Sequence, residues 1–169
     1  MRSSIRLTAP WLALLACLPL LILASTLRAE GMKIADTVFK LPLAEGVSMD
    51  DAVDSMLLRA NALNFKLVAR LPLYKELEAM SVPTRRVEIF QFCDARIAAR
   101  MLAVNLDFAA YLPCRITLIE DEHGKPWLVT LDLDPVIQMA DLPPDLQALA
   151  IQVRDTMNEI MQAGASGDL

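Results

Sequence analysis

The chain has 169 residues, 55% of them hydrophobic and 22% charged, and a formal net charge of −5. Of its 16 basic residues Arg2, Arg6 and Arg28 precede residue 30, leaving 13 beside all 21 acidic ones, so residues 30–169 carry −8. An acidic domain with scattered basic residues gains nothing from approaching phosphate backbones, which argues against nucleic acid as a partner.

The N-terminus opens with "MRSSIR", carrying Arg2 and Arg6, and then runs uncharged from Leu7 to Leu27. A basic start before an apolar run is the layout of an export signal. The run is 21 residues long, closer to a spanning helix of about 20 than to the ~7–15 of a cleaved signal. Pro10 and Pro19 break it into shorter helical pieces, and Ala29 offers a small residue for cleavage. Residues 1–29 thus read either as a signal peptide or as a membrane anchor through residues 7–27. In both cases Arg2 and Arg6 stay in the cytoplasm, and the remainder is expected on the periplasmic side of the inner membrane. "LLAC" at residues 14–17 resembles a lipoprotein box, but the apolar run continues past Cys17, which argues against lipidation.

Residues 30–163 suit one domain with one core, followed by a flexible tail at 164–169. "TVFKLPL" reads as a first strand. Ser48 then caps a helix, with Asp51 three residues on and an apolar face of Ala52, Val53, Met56, Leu57 and Ala60; Asn64 suits its C-terminal end. "FKLVAR" and "RVEIFQFC" alternate as strands, with a short helical turn between them that stops before Pro83. Asp94 caps a helix with Ile97, Ala98, Met101 and Leu102 on one face. "CRITLIE" and "WLVTLDL" flank the turn "DEHGKP", where Gly124 supplies the permissive backbone. Leu146, Leu149, Val153, Met157, Ile160 and Met161 form the buried stripe of a closing helix. The mixture predicts an α+β fold, a mainly antiparallel sheet with helices on one face.

Chemistry-bearing residues are few. Cys93 ends one strand, Cys114 opens another, and Asp94 follows the first cysteine. They read either as a thiol site, redox-active or ligand-binding, or as small apolar residues packed at strand ends. An oxidising compartment permits a disulfide, but the two sulfurs meet only if "NLDFAAYLP" turns the chain back. Pro113 holds Leu112 extended, and alternation puts Cys114 on the apolar side with Ile116 and Leu118, where burial raises a thiol pKa. Cys93 shares the side of Val87 and Ile89 and is expected to be similarly sheltered. There is no CxxC and no second histidine, so no metal site is expected. His123 reads as part of a solvated turn, Asp132 and Asp134 as a strand end before an Asp-Pro turn, and Arg85 and Arg86 as an anion site or strand-edge charges. Phosphate loops, nucleophile elbows and glycine fingerprints are absent, so no cofactor is expected.

"FQFCDARIAARML…AAYLPCRITLIEDEHGKPWLVTLDLDP" resembles the small bacterial and archaeal family called domain of unknown function 302. Cys93, Leu112, Pro113, Cys114, Asp134 and Pro135 carry the likeness, and Asp94-Ala95 stands where family members often have Asn-Pro. The resemblance implies a compact α+β domain similar to the TATA-binding-protein class, with a curved sheet against helices, often paired as a homodimer. It implies no activity. Two readings of function follow. One is an exported binding module, for a small ligand or with a redox link, using Cys93, Asp94 and Cys114. The other is an envelope protein-interaction domain in which the cysteines only pack. No acid–base–nucleophile set can be assembled, and whether the chain is an enzyme stays open at this point.

Overall fold

The computed structural model of the protein describes residues 33–168. The expected apolar helix over residues 7–27 lies outside the described residues; among those described, no helix is long and apolar enough to cross a membrane.

After a 3-10 turn at Ile34–Thr37, strand β1 covers Val38–Pro42. Helix α1 (Met49–Ala62) starts at a reciprocal cap: the Asp51 amide donates to Ser48 Oγ at 3.1 Å and the Ser48 amide to Asp51 Oδ2 at 3.2 Å. It ends with Asn64 at φ 57°, while the Phe65 amide donates back to the Ala60 carbonyl at 2.9 Å and the Phe65 ring enters the core. Strand β2 (Lys66–Leu71), short helix α2 (Leu73–Ala79) and strand β3 (Val87–Cys93) follow. Helix α3 (Ala95–Val104) and a 3-10 turn (Leu106–Tyr111) lead to the β4–β5 hairpin, Cys114–Glu120 and Pro126–Leu131. Two helices close the chain, α4 (Leu133–Met139) and α5 (Pro144–Ser166).

The five strands form one sheet in the order β1-β5-β4-β3-β2, every neighbouring pair antiparallel. In β3 the alternation is strict: Glu88, Phe90 and Phe92 are buried, and the residues between them are half-buried. Cross-strand partners share a face, so Phe90 joins Ile116 of β4, and Leu118 joins Leu128 of β5. This face, α1 and α5 together make the core, with Met56, Met157, Ile160 and Met161 among its buried side chains. The buried Thr130 hydroxyl is satisfied by donating to the Arg115 carbonyl at 2.7 Å.

Two expectations need correction. Residues 164–166 are not a loose tail. They complete α5, and Gly164 is buried where a Cβ would meet Met56 Cγ at 2.5 Å and Leu128 Cδ1 at 3.0 Å. Small residues here let α5 lie close on α1; read without a partner, the same residues look like a fraying end. Asp132 and Asp134 are likewise not on a strand. The strand stops at Leu131, and Asp132 caps α4 by accepting from the Asp134 amide at 3.0 Å, with Pro135 in the first turn.

Charges cluster at one end of β3. Glu88, 2% exposed, accepts from Arg70 Nε at 2.6 Å and Arg86 Nη2 at 3.1 Å, and Arg86 Nη1 also donates to Asp50 Oδ1 at 2.7 Å. Burial alone would raise the Glu88 carboxyl; the two guanidinium groups outweigh it and hold the group below its ordinary range. Arg86, a candidate anion binder, is thus engaged inside the protein, and Arg85 donates to the Glu122 carbonyl at 2.9 Å.

Candidate functional site

The other end of β3 carries the thiols. Antiparallel pairing sets Phe92 opposite Cys114, so Cys93 and Cys114 lie one position apart on adjacent strands. The chain does turn back through the 3-10 segment, whose start is fixed by Asn105 Oδ1 accepting from the Asp107 amide at 2.8 Å. Leu112 is extended (φ −108°, ψ 144°), as Pro113 requires. Both cysteines are free thiols, and both are half-buried.

The two residues line one cavity of about 80 Å³. Its floor is Phe65 and the strand ends. Ile97, Ala98 and Met101 of α3 form one wall, Phe108 and Tyr111 of the 3-10 turn another. Val136 and Ile137 of α4 and Ala150 and Val153 of α5 complete its lining. Asp94 provides the one carboxylate on the lining. It caps α3 by accepting from the Arg96 amide at 2.9 Å, and its Oδ2 takes Arg96 Nη2 at 3.2 Å. The Arg96 hydrogen bonds hold the Asp94 carboxyl below the usual range. The carboxylate is therefore spoken for, and what faces the cavity is mainly hydrocarbon and sulfur.

Burial pushes the Cys114 thiol up to about 11, with Cys93 beside it adding to the shift. Burial also raises Cys93, helped by the Asp94 carboxylate. Both thiols are protonated at neutral pH and are weak nucleophiles. A neighbouring groove of about 370 Å³ shares Tyr111, Cys114 and Leu133 with it. Cys114, Tyr111 and Leu133 thus border both apolar spaces.

The sequence-derived candidates Cys93, Asp94 and Cys114 are brought together here. Those set aside are not: His123 lies in the hairpin turn, where Asp121 Oδ1 accepts from the His123 and Lys125 amides at 2.9 Å. Asp134 pairs with Arg154. Among the described residues no group of three or more His, Cys, Asp or Glu side chains is placed to hold a metal ion. Sequence reasoning missed the cavity walls from α4 and the 3-10 turn. The apolar residues of "DFAAYL" and "PVIQM" were the available signal.

A match to the family described as "Domain of unknown function DUF302" spans residues 39–164, most of the chain. The chain belongs to the DUF302 family. A solved structure with the same architecture is the uncharacterized conserved DUF302 protein of Bacillus stearothermophilus, at 16% identity and a TM-score of 0.63, covering 75% of this chain and 97% of that one. At that identity the likeness speaks for the fold alone. No curated protein matches the chain. Within the DUF302 match, Leu112 and Cys114 of the "LPC" at residues 112–114 line the cavity at the mouth of β4.

Proposed function

We propose that this DUF302 domain is a small-molecule-binding module working on the outer side of the inner membrane, and that the apolar part of its ligand occupies the cavity at Cys93 and Cys114. The observation that carries the reading is the cavity itself, apolar space bounded by four elements beside a well-filled core. Close-packed interiors hold few voids larger than a water, and concave apolar space takes up small apolar molecules. At about 80 Å³ it is roughly half the ~150 Å³ engineered cavity that takes benzene, so a few heavy atoms fill it and a ring does not. The protonated thiols favour binding over thiol redox catalysis. Export is supported by Arg2 and Arg6 ahead of the uncharged run from Leu7 to Leu27.

The competing reading is an envelope interaction domain whose cysteines only pack, and the burial of Cys114 favours it. Xenon decides between them, because it enters dry apolar cavities of this size. Saturable xenon shifts in the native protein, lost when Ala98→Leu fills the space, support the binding module. No xenon uptake by a folded wild-type chain leaves the cysteines as packing residues.

A further inference from the structure

We propose that the ligand is a short-chain carboxylic acid, with its carboxylate on Arg115 in the neighbouring groove and its hydrocarbon tail in the apolar cavity. The inference rests on the small-ligand reading and names the ligand class for that site.

The cavity has no place for a polar head. Its lining is hydrocarbon and protonated thiols, and its one carboxylate is held by Arg96. A head group without partners there would be costly. The head belongs where a partner exists, and Tyr111, Cys114 and Leu133 border both the cavity and the groove.

The groove supplies a charge. Arg115 lines it, and no carboxylate does. Burial raises the Cys114 thiol and the Arg115 charge works against that rise, so the guanidinium stands within electrostatic reach of the sulfur. Every other arginine among the described residues meets a carboxylate or a backbone carbonyl. The Arg115 guanidinium has no such partner. The adjoining hollow, which shares Leu131 and Leu133 with the groove, carries Asp132 and Asp134. The first caps α4 and the second pairs with Arg154, so neither neutralises Arg115.

A single cation selects the head. A guanidinium takes a carboxylate through two parallel N–H···O bonds, and the pair is neutral. A phosphate monoester carries about −1.5 to −2 at neutral pH and would leave charge over a lining of Tyr111, Leu131, Leu133 and Met157. Volume selects the tail. A space of about 80 Å³ accepts a short unbranched alkyl chain and rejects a ring or a long acyl chain.

The test titrates the reduced full-length chain with acetate, butanoate, hexanoate and hexan-1-ol at neutral pH and follows the protein's NMR shifts. Hexanoate is expected to saturate, and each added methylene should tighten binding by about threefold to fourfold. Hexan-1-ol should bind about tenfold or more weakly than hexanoate. Arg115→Gln should remove that difference, and Ala98→Leu should remove the gain with chain length. The comparison of hexanoate with hexan-1-ol needs no variant, so it decides the matter even where a substitution unfolds the chain. Equal affinity for the two, undiminished hexanoate binding in Arg115→Gln, or a chain-length gain that survives Ala98→Leu overturns the inference. Hexanoate binding without xenon uptake places the tail elsewhere and also overturns it. Xenon uptake with no preference for the carboxylate overturns it and leaves the small-ligand reading standing; the absence of both removes the two together.

Discussion

The two ends of β3 solve burial in opposite ways. At the Glu88 end a charge sits inside the protein; Arg70 of β2 and Arg86, just before β3, satisfy it, and Asp50 of α1 pairs with Arg86 in turn. At the Cys93 end the side chains ask for almost nothing, and space is left over. Buried charge forces the fold to supply its partners, because an unpaired one is too costly to keep. Buried hydrocarbon makes no such demand on geometry, and a void among apolar side chains costs only lost contacts. A vacancy can therefore persist where the chemistry is mild, and it is there that an outside molecule has room to add something.

The largest effect should come from the charged end. Arg86→Ala strips one partner from Glu88 and is expected to cost about 3–5 kcal/mol in denaturant unfolding; a loss below about 1 kcal/mol would mean the pair is solvated and the contrast false. The same end sets the response to acid. The folded Glu88 carboxyl lies below its ordinary value of 4.5, so its contribution is complete above that pH and disappears as pH falls through the lower folded value. Glu88→Gln should flatten this acid limb in a stability-against-pH series, and an unchanged limb would assign acid unfolding elsewhere.

At the thiol end the expected change is in rate. Raised from 9.0 to about 11, native Cys114 has about a hundredfold less thiolate at neutral pH than an ordinary cysteine. Its alkylation should be slower by at least that factor and recover on unfolding. Labelling at the speed of a small free thiol would contradict the burial. The sign for stability is opposite to that of Glu88: the protonated thiol favours the folded state, fully so below pH 9.0, with the gain lost as pH rises through about 11. The smallest effect sharpens the idea of leftover space. Ala98→Leu should fill the cavity and raise stability by about 0.5–2 kcal/mol, whereas a comparable loss would show that the walls do not yield to the added methyls.

What was legible in the sequence was local. The Ser48–Asp51 cap, the alternation of β3 and the Gly124 turn each depend on residues a few positions apart, and each appears in the structure as read. The meeting of Cys93 and Cys114 hung on the direction of β4, which spacing alone left open; the antiparallel register decides it. Glu88 was readable as inward-facing from its parity with Phe90 and Phe92, but its pairing was not, since Arg70 reaches it, and Asp50 reaches Arg86, only through the fold. The cavity was the least legible. It is assembled from Phe65, α3, the 3-10 turn, α4 and α5, and no segment of sequence announces the space it fails to fill.

Gly164 has a mechanical consequence. Helix α5 runs for 23 residues, pressed onto α1 and β5 near its C-terminus, where not even a methyl group fits between them, while Ala150 and Val153 toward its N-terminus wall the cavity. One end of this rod is clamped and cannot slide or roll without a collision. A ligand needing more room must obtain it from the shorter pieces on the far side, α4 and the 3-10 turn that carry Leu133 and Tyr111. The helix is the fixed jaw of a vice, and any widening is left to those segments.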